Sequence, residues 1–388
     1  MYFHFYVYLN KKITKKQLSI LVFCVMIAVM REQILLQQIE QPLLEWYRKN
    51  KRDLPWRDKN NAYMTWVSEI MLQQTRVEAV KPYFHRFLQE LPDVAHLAAC
   101  PEEKLLKLWE GLGYYNRVRN MQKAAREVME QYGGTLPADY EKLKGLTGIG
   151  NYTAGAIASI AYGIPVPAVD GNVLRVISRV TKSYEDIMKQ SVRKKMEQQL
   201  LEVMPKDCPG DYNQALMELG AVVCVPNGMA KCEDCPLRQS CLAQKEGCVM
   251  ELPVKTAKKP RKIENRTVLV IQDGERVAIR KRADKGLLAG LYEFPNLEGH
   301  MTEREVLDYV KERHLDAVRI ESLAPAKHIF SHVEWRMIGY RVRVAALEEK
   351  FAKDMIFVDK KETKQKYAIP SAFDAYSGVI KEEKIEVT

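Results

Sequence analysis

The sequence is poor in cysteine and has no long apolar run of the kind that crosses a membrane. Eight cysteines in 388 residues are too few for a disulfide-stabilised fold. The apolar run from Leu18 to Met30 is short for a membrane span, and no clear small-residue cleavage site accompanies it. A signal peptide or anchor is therefore poorly formed, and we expect residues 1–29 to be an apolar extension ahead of the true initiator, Met30.

Composition and charge indicate a globular protein with an anionic partner. Hydrophobic residues make up 47% of the chain and charged residues 28%, and the length favours two domains. The net charge of +10 suits a surface that binds phosphates, although a merely basic protein would share it.

The pattern of apolar residues changes once along the chain. Three- and four-residue spacing, as in EEKLLKLWEGL and NRVRNMQKAAREVMEQYG, predicts an all-helical domain over residues 30–245. The segment TWVSEIMLQQTRVEAVKPYFHRFLQEL has this spacing too, and its first part, TWVSEIMLQQTRVEAV, is expected to form one helix. A polar, basic linker is expected at residues 246–262. An α+β domain is expected at residues 263–388, with a hairpin in RTVLVIQDGERVAIRKR, a helix in TEREVLDYVKERH, and strands in WRMIGYRVRVAAL and MIFVD.

Four cysteines lie close together in residues 224–241, namely Cys224, Cys232, Cys235 and Cys241. Four thiolates in one short segment suit either a zinc ion or a [4Fe-4S] cluster. Only one Cys-x-x-Cys pair occurs, and the unequal spacing favours the cluster, while unrelated buried thiols are the alternative.

Two further segments carry residues suited to DNA and sugar chemistry. Gly148 and Gly150 form a tight turn between two short helices in residues 143–163, which could hold a DNA phosphate or simply connect helices. Asp170 precedes a helix and is expected to cap it, which would keep its carboxylate ionised. An ionised carboxylate can stabilise a developing sugar cation.

Glu69 lies in a helical pattern beside Trp66 and Ile70. Apolar surroundings raise the pKa of a glutamate, so that it can act as a general acid near neutral pH. A solvated surface glutamate is the alternative interpretation, and composition alone does not distinguish Glu69 from its neighbours.

Together these elements resemble the endonuclease III superfamily, and four blocks are similar to its MutY branch: LPWR (54–57), SEIMLQQT (68–75), WEGLGYYNR (109–117) and VDGNVLRV (169–176). The resemblance implies that Glu69 protonates adenine, that Asp170 stabilises the sugar cation, and that the four cysteines bind a [4Fe-4S] cluster. It also implies contacts with DNA or the flipped base by Arg52, Leu54, Trp56, Arg57, Leu72, Gln74, Thr75, Tyr114, Gly148, Gly150 and Asn172. One departure is the seven-residue gap between the first two cysteines, where six is commoner.

Tyr152 bears on the reaction type. The bifunctional relatives carry a lysine at this place, which attacks the sugar and cleaves the strand. A tyrosine cannot form a Schiff base, so the resemblance implies a glycosylase that leaves an abasic site.

The second domain resembles the MutT-like, Nudix-related domain of the same family through GLLAGLYEFP (286–295). TEREVLDYVKERHLD lacks the paired glutamates and the glycine of a Nudix hydrolase, which argues against nucleotide hydrolysis. The resemblance implies that Phe330, Ser331 and His332 recognise 8-oxoguanine, whereas without it a strand-edge loop would be preferred.

We therefore predict a monomeric, cytoplasmic, nucleoid-associated glycosylase that removes adenine paired with 8-oxoguanine or guanine in double-stranded DNA, with no membrane association. The alternatives are an endonuclease III-type lyase, a non-catalytic iron–sulfur DNA-binding protein and a Nudix hydrolase. Tyr152, the pair Glu69 and Asp170, and the incomplete Nudix segment argue against these in turn.

Overall fold

The structure is a computed structural model that describes residues 30–57, 61–257, 259–348 and 354–378. The described chain divides into two compact units. The first unit contains the residues up to Ile70 together with Thr135–Ala257, and the second contains Met71–Gly134 together with the residues after Ala257. The expected extension, residues 1–29, lies outside the described residues, and the domain boundaries expected near residues 245 and 263 stay a prediction.

The described residues between 30 and 257 are helices joined by loops, as the apolar spacing predicts, and they contain no strand. Residues 30–38 are helical. The helices that follow are α1 (Glu40–Asn50), α2 (Ala62–Leu72), α3 (Val77–Glu90), α4 (Val94–Ala99), α5 (Glu102–Leu108), α6 (Asn116–Tyr132), α7 (Tyr140–Gly145), α8 (Asn151–Ala156), α9 (Gly171–Val180), α10 (Gln190–Val203), α11 (Pro209–Val222) and α12 (Leu242–Lys245). Among the residues that the structure describes, no helix is both long and apolar enough to span a membrane.

The one helix expected over TWVSEIMLQQTRVEAV is wrong, because two helices occupy that segment. α2 ends at Leu72 and α3 begins at Val77. Between them Gln74 has a φ of +61°, which a right-handed helix cannot contain. The apolar spacing continues through the break and neither glycine nor proline marks it, so the pattern alone does not reveal it.

The C-terminal part is a mixed sheet flanked by short helices, in agreement with the expected α+β fold. Its strands are β1 (Lys262–Gln272), β2 (Arg276–Lys281), β3 (Tyr292–Glu293), β4 (Asn296–Glu298), β5 (Ala317–Ile329), β6 (Val333–Val344) and β7 (Ile356–Asp359), and its helices are α13 (Glu303–Lys311), α14 (Lys360–Gln365) and α15 (Asp374–Ser377). The main path runs β3-β2-β1-β6-β5, with β4 beside β1 and β7 beside β2. The pair β1 and β6 is parallel, and the expected hairpin of β1 and β2 is confirmed.

β5 is the longest of the three strands that the sequence does not predict, the others being the short β3 and β4. Its burial does not alternate regularly, and its pairing with β6 shifts register between Leu323 and Ala326, around Pro325. A bulge at a proline disrupts the period-two pattern by which strands are recognised in a sequence.

Each unit has its own apolar core. In the first unit, α1, α9 and α11 bring Leu43, Leu174 and Leu216 together with no exposed surface. In the second unit both faces of the sheet are buried. Val270 packs with Phe373 on one face, while neighbouring side chains of β1 pack with α13 on the other. Strands covered on both faces form a rigid base for the loops at their ends.

Candidate active site

Glu69 lies on α2 as a buried carboxyl group with 6% of its surface exposed. Burial raises its pKa to about 7 against the opposing hydrogen bond from Tyr152, and the charge of Asp170 raises it further while that of Arg57 lowers it. Trp66 and Ile70 are buried beside it in the helix, as expected. A carboxyl group with this pKa is about half protonated at pH 7, so a large share of the molecules holds the proton that a general acid needs.

Tyr152, on α8, donates its phenolic hydrogen to Oε2 of Glu69. Burial, together with the charges of Glu69 and Asp170, raises the pKa of Tyr152 well above its ordinary value. The phenol is therefore neutral and remains a hydrogen-bond donor. Tyr152, which the resemblance sets in the place of a lysine, therefore contacts the candidate acid directly.

Asp170 caps the N-terminus of α9, as predicted. Its Oδ1 accepts hydrogen bonds from the backbone N–H groups of Asn172 and Val173, both at 2.8 Å. Its Oδ2 accepts one from the Nδ2 of Asn172 at 2.8 Å. Burial raises the pKa of Asp170, whereas these hydrogen bonds and the charge of Arg175 oppose that rise and favour the ionised form, as the capping position leads one to expect. Asn172 thus contacts the catalytic candidate directly.

Arg52 and Arg57 share one buried partner, Glu218 of α11, which the sequence analysis missed. Arg52 donates to its Oε1 at 2.7 Å, and Arg57 donates to its Oε2 at the same distance. Burial opposes ionisation of Glu218, but the two arginines outweigh it and lower its pKa to about 2. Its position in the apolar segment QALMELGAVV is the available clue, because a carboxylate buried there needs a cation.

Leu54 and Trp56 are also buried, with 2% and 7% of their surfaces exposed. They lie in the segment between Arg52 and Arg57, in the same unit as Glu69, Tyr152 and Asp170. The unit that holds both carboxyl groups therefore also contains these four residues, which are expected to contact DNA or the flipped base.

The four cysteines surround one small cavity. The guanidinium of Arg179 donates to Sγ of Cys224 at 3.2 Å, and burial raises the pKa of Cys235 to about 12. Within the described residues, no three histidine, cysteine, aspartate or glutamate side chains lie close enough to hold a single metal ion. Four free thiols around a common cavity with a cation beside them fit a group that takes several thiolate ligands.

The glycine hairpin has the expected form. α7 ends at Gly145 and α8 begins at Asn151, with Gly148 at a φ of +78° and Gly150 at the start of α8. Farther along α8, a Cβ on Gly155 would lie 2.4 Å from the carbonyl oxygen of Pro167. The helix therefore packs directly on the backbone of the loop that leads to Asp170.

The remaining predicted contacts belong to the second unit. Leu72, Gln74 and Thr75 form the turn between α2 and α3, and Gln74 is exposed. Tyr114 lies in another turn and its hydroxyl is 3.0 Å from that of Ser331. The structure thus joins two candidates that are distant in the sequence.

Phe330, Ser331 and His332 occupy the turn between β5 and β6. The Phe330 ring lies between those of His328 and Trp335, at centroid distances of 4.6 and 5.0 Å, whereas Ser331 and His332 are exposed. The packed ring anchors the turn and leaves the two polar side chains available for contact.

Two family models match the chain. That of the HhH-GPD superfamily of base excision DNA repair proteins matches residues 67–205, and that of the NUDIX domain matches residues 267–377. A solved structure of a thermostable thymine-DNA glycosylase is similar, with a TM-score of 0.50 and 25% identity. The likeness covers 56% of this chain and 99% of that one.

Curated relatives narrow the assignment. The adenine DNA glycosylase of Mus musculus is 35% identical, over 79% of this chain and 70% of that protein. The adenine DNA glycosylase of Buchnera aphidicola (subspecies Acyrthosiphon pisum) is 33% identical, over 80% of this chain and 88% of its own length. With a buried carboxyl pair in its helix-hairpin-helix part and a NUDIX-like sheet in its C-terminal part, the chain belongs to the adenine DNA glycosylase family of base excision repair enzymes.

Proposed function

We propose that this enzyme removes adenine paired with 8-oxoguanine, and with guanine, in double-stranded DNA and leaves an abasic site. The observation that carries the proposal is the pair of buried carboxyl groups. Glu69 has a pKa near 7 and a phenol beside it, while Asp170 accepts three N–H hydrogen bonds. Two carboxyl groups in unlike environments can divide the acid and stabiliser roles in breaking a glycosidic bond.

The reaction begins with an adenine that has rotated out of the base stack, because neither carboxyl group could reach it inside the duplex. Glu69 donates its proton to the adenine, which makes the base a better leaving group. As the bond between base and sugar breaks, positive charge develops on the sugar, and the carboxylate of Asp170 stabilises it. A water molecule then adds to the sugar, and Glu69 accepts a proton from it.

Tyr152 supports a reaction that stops at the abasic site. Its neutral phenol orients the carboxyl group of Glu69 and has no amine with which to form a Schiff base. The second arrangement that supports the proposal is the pairing of Arg52 and Arg57 with Glu218, because it fixes the side chains of the two arginines that flank Leu54 and Trp56 in the sequence.

The partner base is read, in this proposal, by the second unit. Ser331 and His332 are exposed on a turn that the Phe330 ring anchors, and the Ser331 hydroxyl lies at hydrogen-bond distance from Tyr114. A hydroxyl group can both donate and accept, so it can distinguish the altered edge of 8-oxoguanine from that of guanine.

The cysteines Cys224, Cys232, Cys235 and Cys241 would hold a [4Fe-4S] cluster. When bound, the cluster would supply a rigid core for residues 224–241, and Arg179 would offset its negative charge. Such a cluster gives about four iron atoms per chain, and we expect Cys235→Ser to abolish this iron content. Cys208→Ser, which changes a cysteine outside the group, should retain it. Zinc in place of iron in the purified protein would contradict the assignment.

DNA as the substrate fits the net charge of +10 and the hairpin of Gly148 and Gly150, and we keep the prediction that the enzyme acts in the cytoplasm, in association with the nucleoid. We also keep the prediction that the enzyme acts as a monomer. The molar mass of the purified protein, measured by light scattering, tests it.

The test is a single-turnover assay on labelled duplexes with adenine opposite 8-oxoguanine, guanine or thymine. We expect alkali-dependent cleavage of the adenine strand, fastest opposite 8-oxoguanine and negligible opposite thymine. Glu69→Gln and Asp170→Asn should each lower the rate by at least a hundredfold, whereas Glu130→Gln, at an exposed glutamate of α6, should match the wild type.

The same assay, together with a binding measurement on these duplexes and an incubation with a nucleoside triphosphate, identifies the alternatives. Strand cleavage without alkali, with trapping by borohydride, would indicate a lyase. Binding without base release would indicate a DNA-binding module, and release of pyrophosphate or phosphate from a nucleoside triphosphate would indicate a Nudix hydrolase.

A further inference from the structure

Two exposed residues of the second unit have backbones in the left-handed region. Gln74 has a φ of +61° and Tyr114 a φ of +48°. Side chains other than glycine adopt this region at a cost, and they remain there when the surrounding structure enforces it. Both residues are among those proposed to contact DNA. The contacts that enforce these two backbone conformations therefore also determine how the two side chains are presented to the duplex.

One side chain contacts both turns. The guanidinium of Arg117, at the start of α6, donates to the carbonyl oxygen of Gln73 at 2.8 Å and to that of Met71 at 3.2 Å. It also donates to the carbonyl oxygens of Leu112 and Gly113, at 2.9 and 3.1 Å. The first two carbonyls precede Gln74, and the last two precede Tyr114.

Among the cationic side chains, only arginine suits this arrangement of four carbonyl acceptors. The last carbonyl groups of a helix lack partners within it, and a cation at this end is favoured by the helix dipole. Arg117 occupies that place at the end of α2. Its planar group presents several N–H donors in fixed directions, which a lysine ammonium cannot do.

The aromatic neighbours hold the guanidinium in place. It lies over the ring of the buried Trp109 at 5.3 Å and over that of Tyr114 at 5.6 Å. The indole N–H of Trp109 donates to the Gly113 carbonyl that Arg117 also contacts. The arginine is thereby fixed on one side by the core and on the other by the side chain that it orients.

We propose that Arg117 is a positioning residue that locks the Gln74 turn and the Tyr114 turn into one rigid, DNA-penetrating unit. The two side chains then enter the duplex together around the mispair, and the arginine itself touches no base. The inference rests on the proposed function in one respect, namely that these two turns face DNA.

The test uses the full-length holoenzyme and a duplex with a non-cleavable adenine analogue opposite 8-oxoguanine. A 2-aminopurine next to the 8-oxoguanine reports unstacking by a rise in fluorescence. Arg117→Lys keeps the charge and loses the donor geometry. Arg126→Met is the matched control, because Arg126 lies on the same helix and also donates to a backbone carbonyl, that of Ala98 at 3.1 Å.

We expect Arg117→Lys to weaken duplex binding at least tenfold and to lower the fluorescence rise at saturating protein by at least half. Arg126→Met should leave both within twofold of the wild type. A merely structural role would lower the melting temperature and leave the fluorescence of the saturated complex unchanged. Wild-type affinity and fluorescence in Arg117→Lys would overturn the proposal.

A variant that folds poorly is also informative. Glycine adopts the conformation of Tyr114 without strain, so adding Tyr114→Gly should restore the melting temperature of Arg117→Lys. Additive losses of melting temperature in the double variant would count against the lock.

Failure of the proposed function shows separately, because wild-type enzyme would then release no adenine from the cleavable duplex whatever the result with Arg117→Lys.

Discussion

The buried carboxyl group of Glu69 should make folding stability depend on pH. Its pKa is about 7 in the folded protein and about 4.5 in an exposed glutamate, because burial disfavours the charged form. The difference of about 2.5 units corresponds to about 3 kcal/mol, at about 1.4 kcal/mol per unit. Because folding raises this pKa, the contribution is fully present below about pH 4.5 and is lost as the pH rises to about 7.

Glu69→Gln isolates this contribution, since glutamine has the same shape and does not ionise. The free energy of unfolding of the variant minus that of the wild type should therefore increase by about 2.5 kcal/mol between pH 5 and pH 8. Urea denaturation followed by tryptophan fluorescence measures both proteins, and Glu130→Gln at the surface controls for the loss of a charge. An equal difference between variant and wild type at both pH values would refute the burial argument and, with it, the role of Glu69 as the acid.

Three further changes test other parts of the site. Tyr152→Phe removes a hydrogen bond that lowers the pKa of Glu69, so the alkaline fall of the single-turnover rate should move up by about one pH unit; an unchanged or lower position would contradict this. Glu218→Gln should cost about 2–3 kcal/mol of unfolding free energy, because two arginines lose their charged partner, and urea denaturation at pH 7 measures it. Gly155→Ala should cost about 1–3 kcal/mol through its backbone clash, whereas Gly145→Ala has open space and should be neutral or stabilising; equal melting temperatures would contradict the clash.

Local patterns predicted much of this molecule. The helical spacing, the Asp-Gly hairpin, the glycine turn and the cap at Asp170 each depend on a few neighbouring residues, and the structure has each of them. The cysteine group also depends on local spacing. These features are set by backbone geometry and by hydrogen bonds within a few residues, which a sequence displays directly.

The features that the sequence did not reveal depend on distant contacts. The break at Gln74 has no glycine or proline, and Arg117, more than forty residues away, holds the carbonyl groups at its edge. Glu218 is separated from Arg52 by 166 residues, so nothing near it shows that its carboxylate has a cation. The specific bases also rest on family resemblance, because spacing identifies chemical groups and not the base that they recognise.

The two carboxyl groups of the site explain each other's roles. Asp170 accepts three N–H hydrogen bonds, each of which favours its charged form, whereas Glu69 accepts the hydrogen of a neutral phenol. Two buried carboxyl groups repel each other when both are charged, so a single negative charge is favoured. The hydrogen bonds favour Asp170 as the group that carries this charge, and the charge raises the pKa of Glu69. In the proposed mechanism burial and the charge of Asp170 together favour the protonated form of Glu69 before the reaction, and the same carboxylate of Asp170 stabilises the sugar cation during it. Glu69 transfers its proton as the sugar cation forms. Glu69 therefore becomes negatively charged only when a positive charge on the sugar balances it.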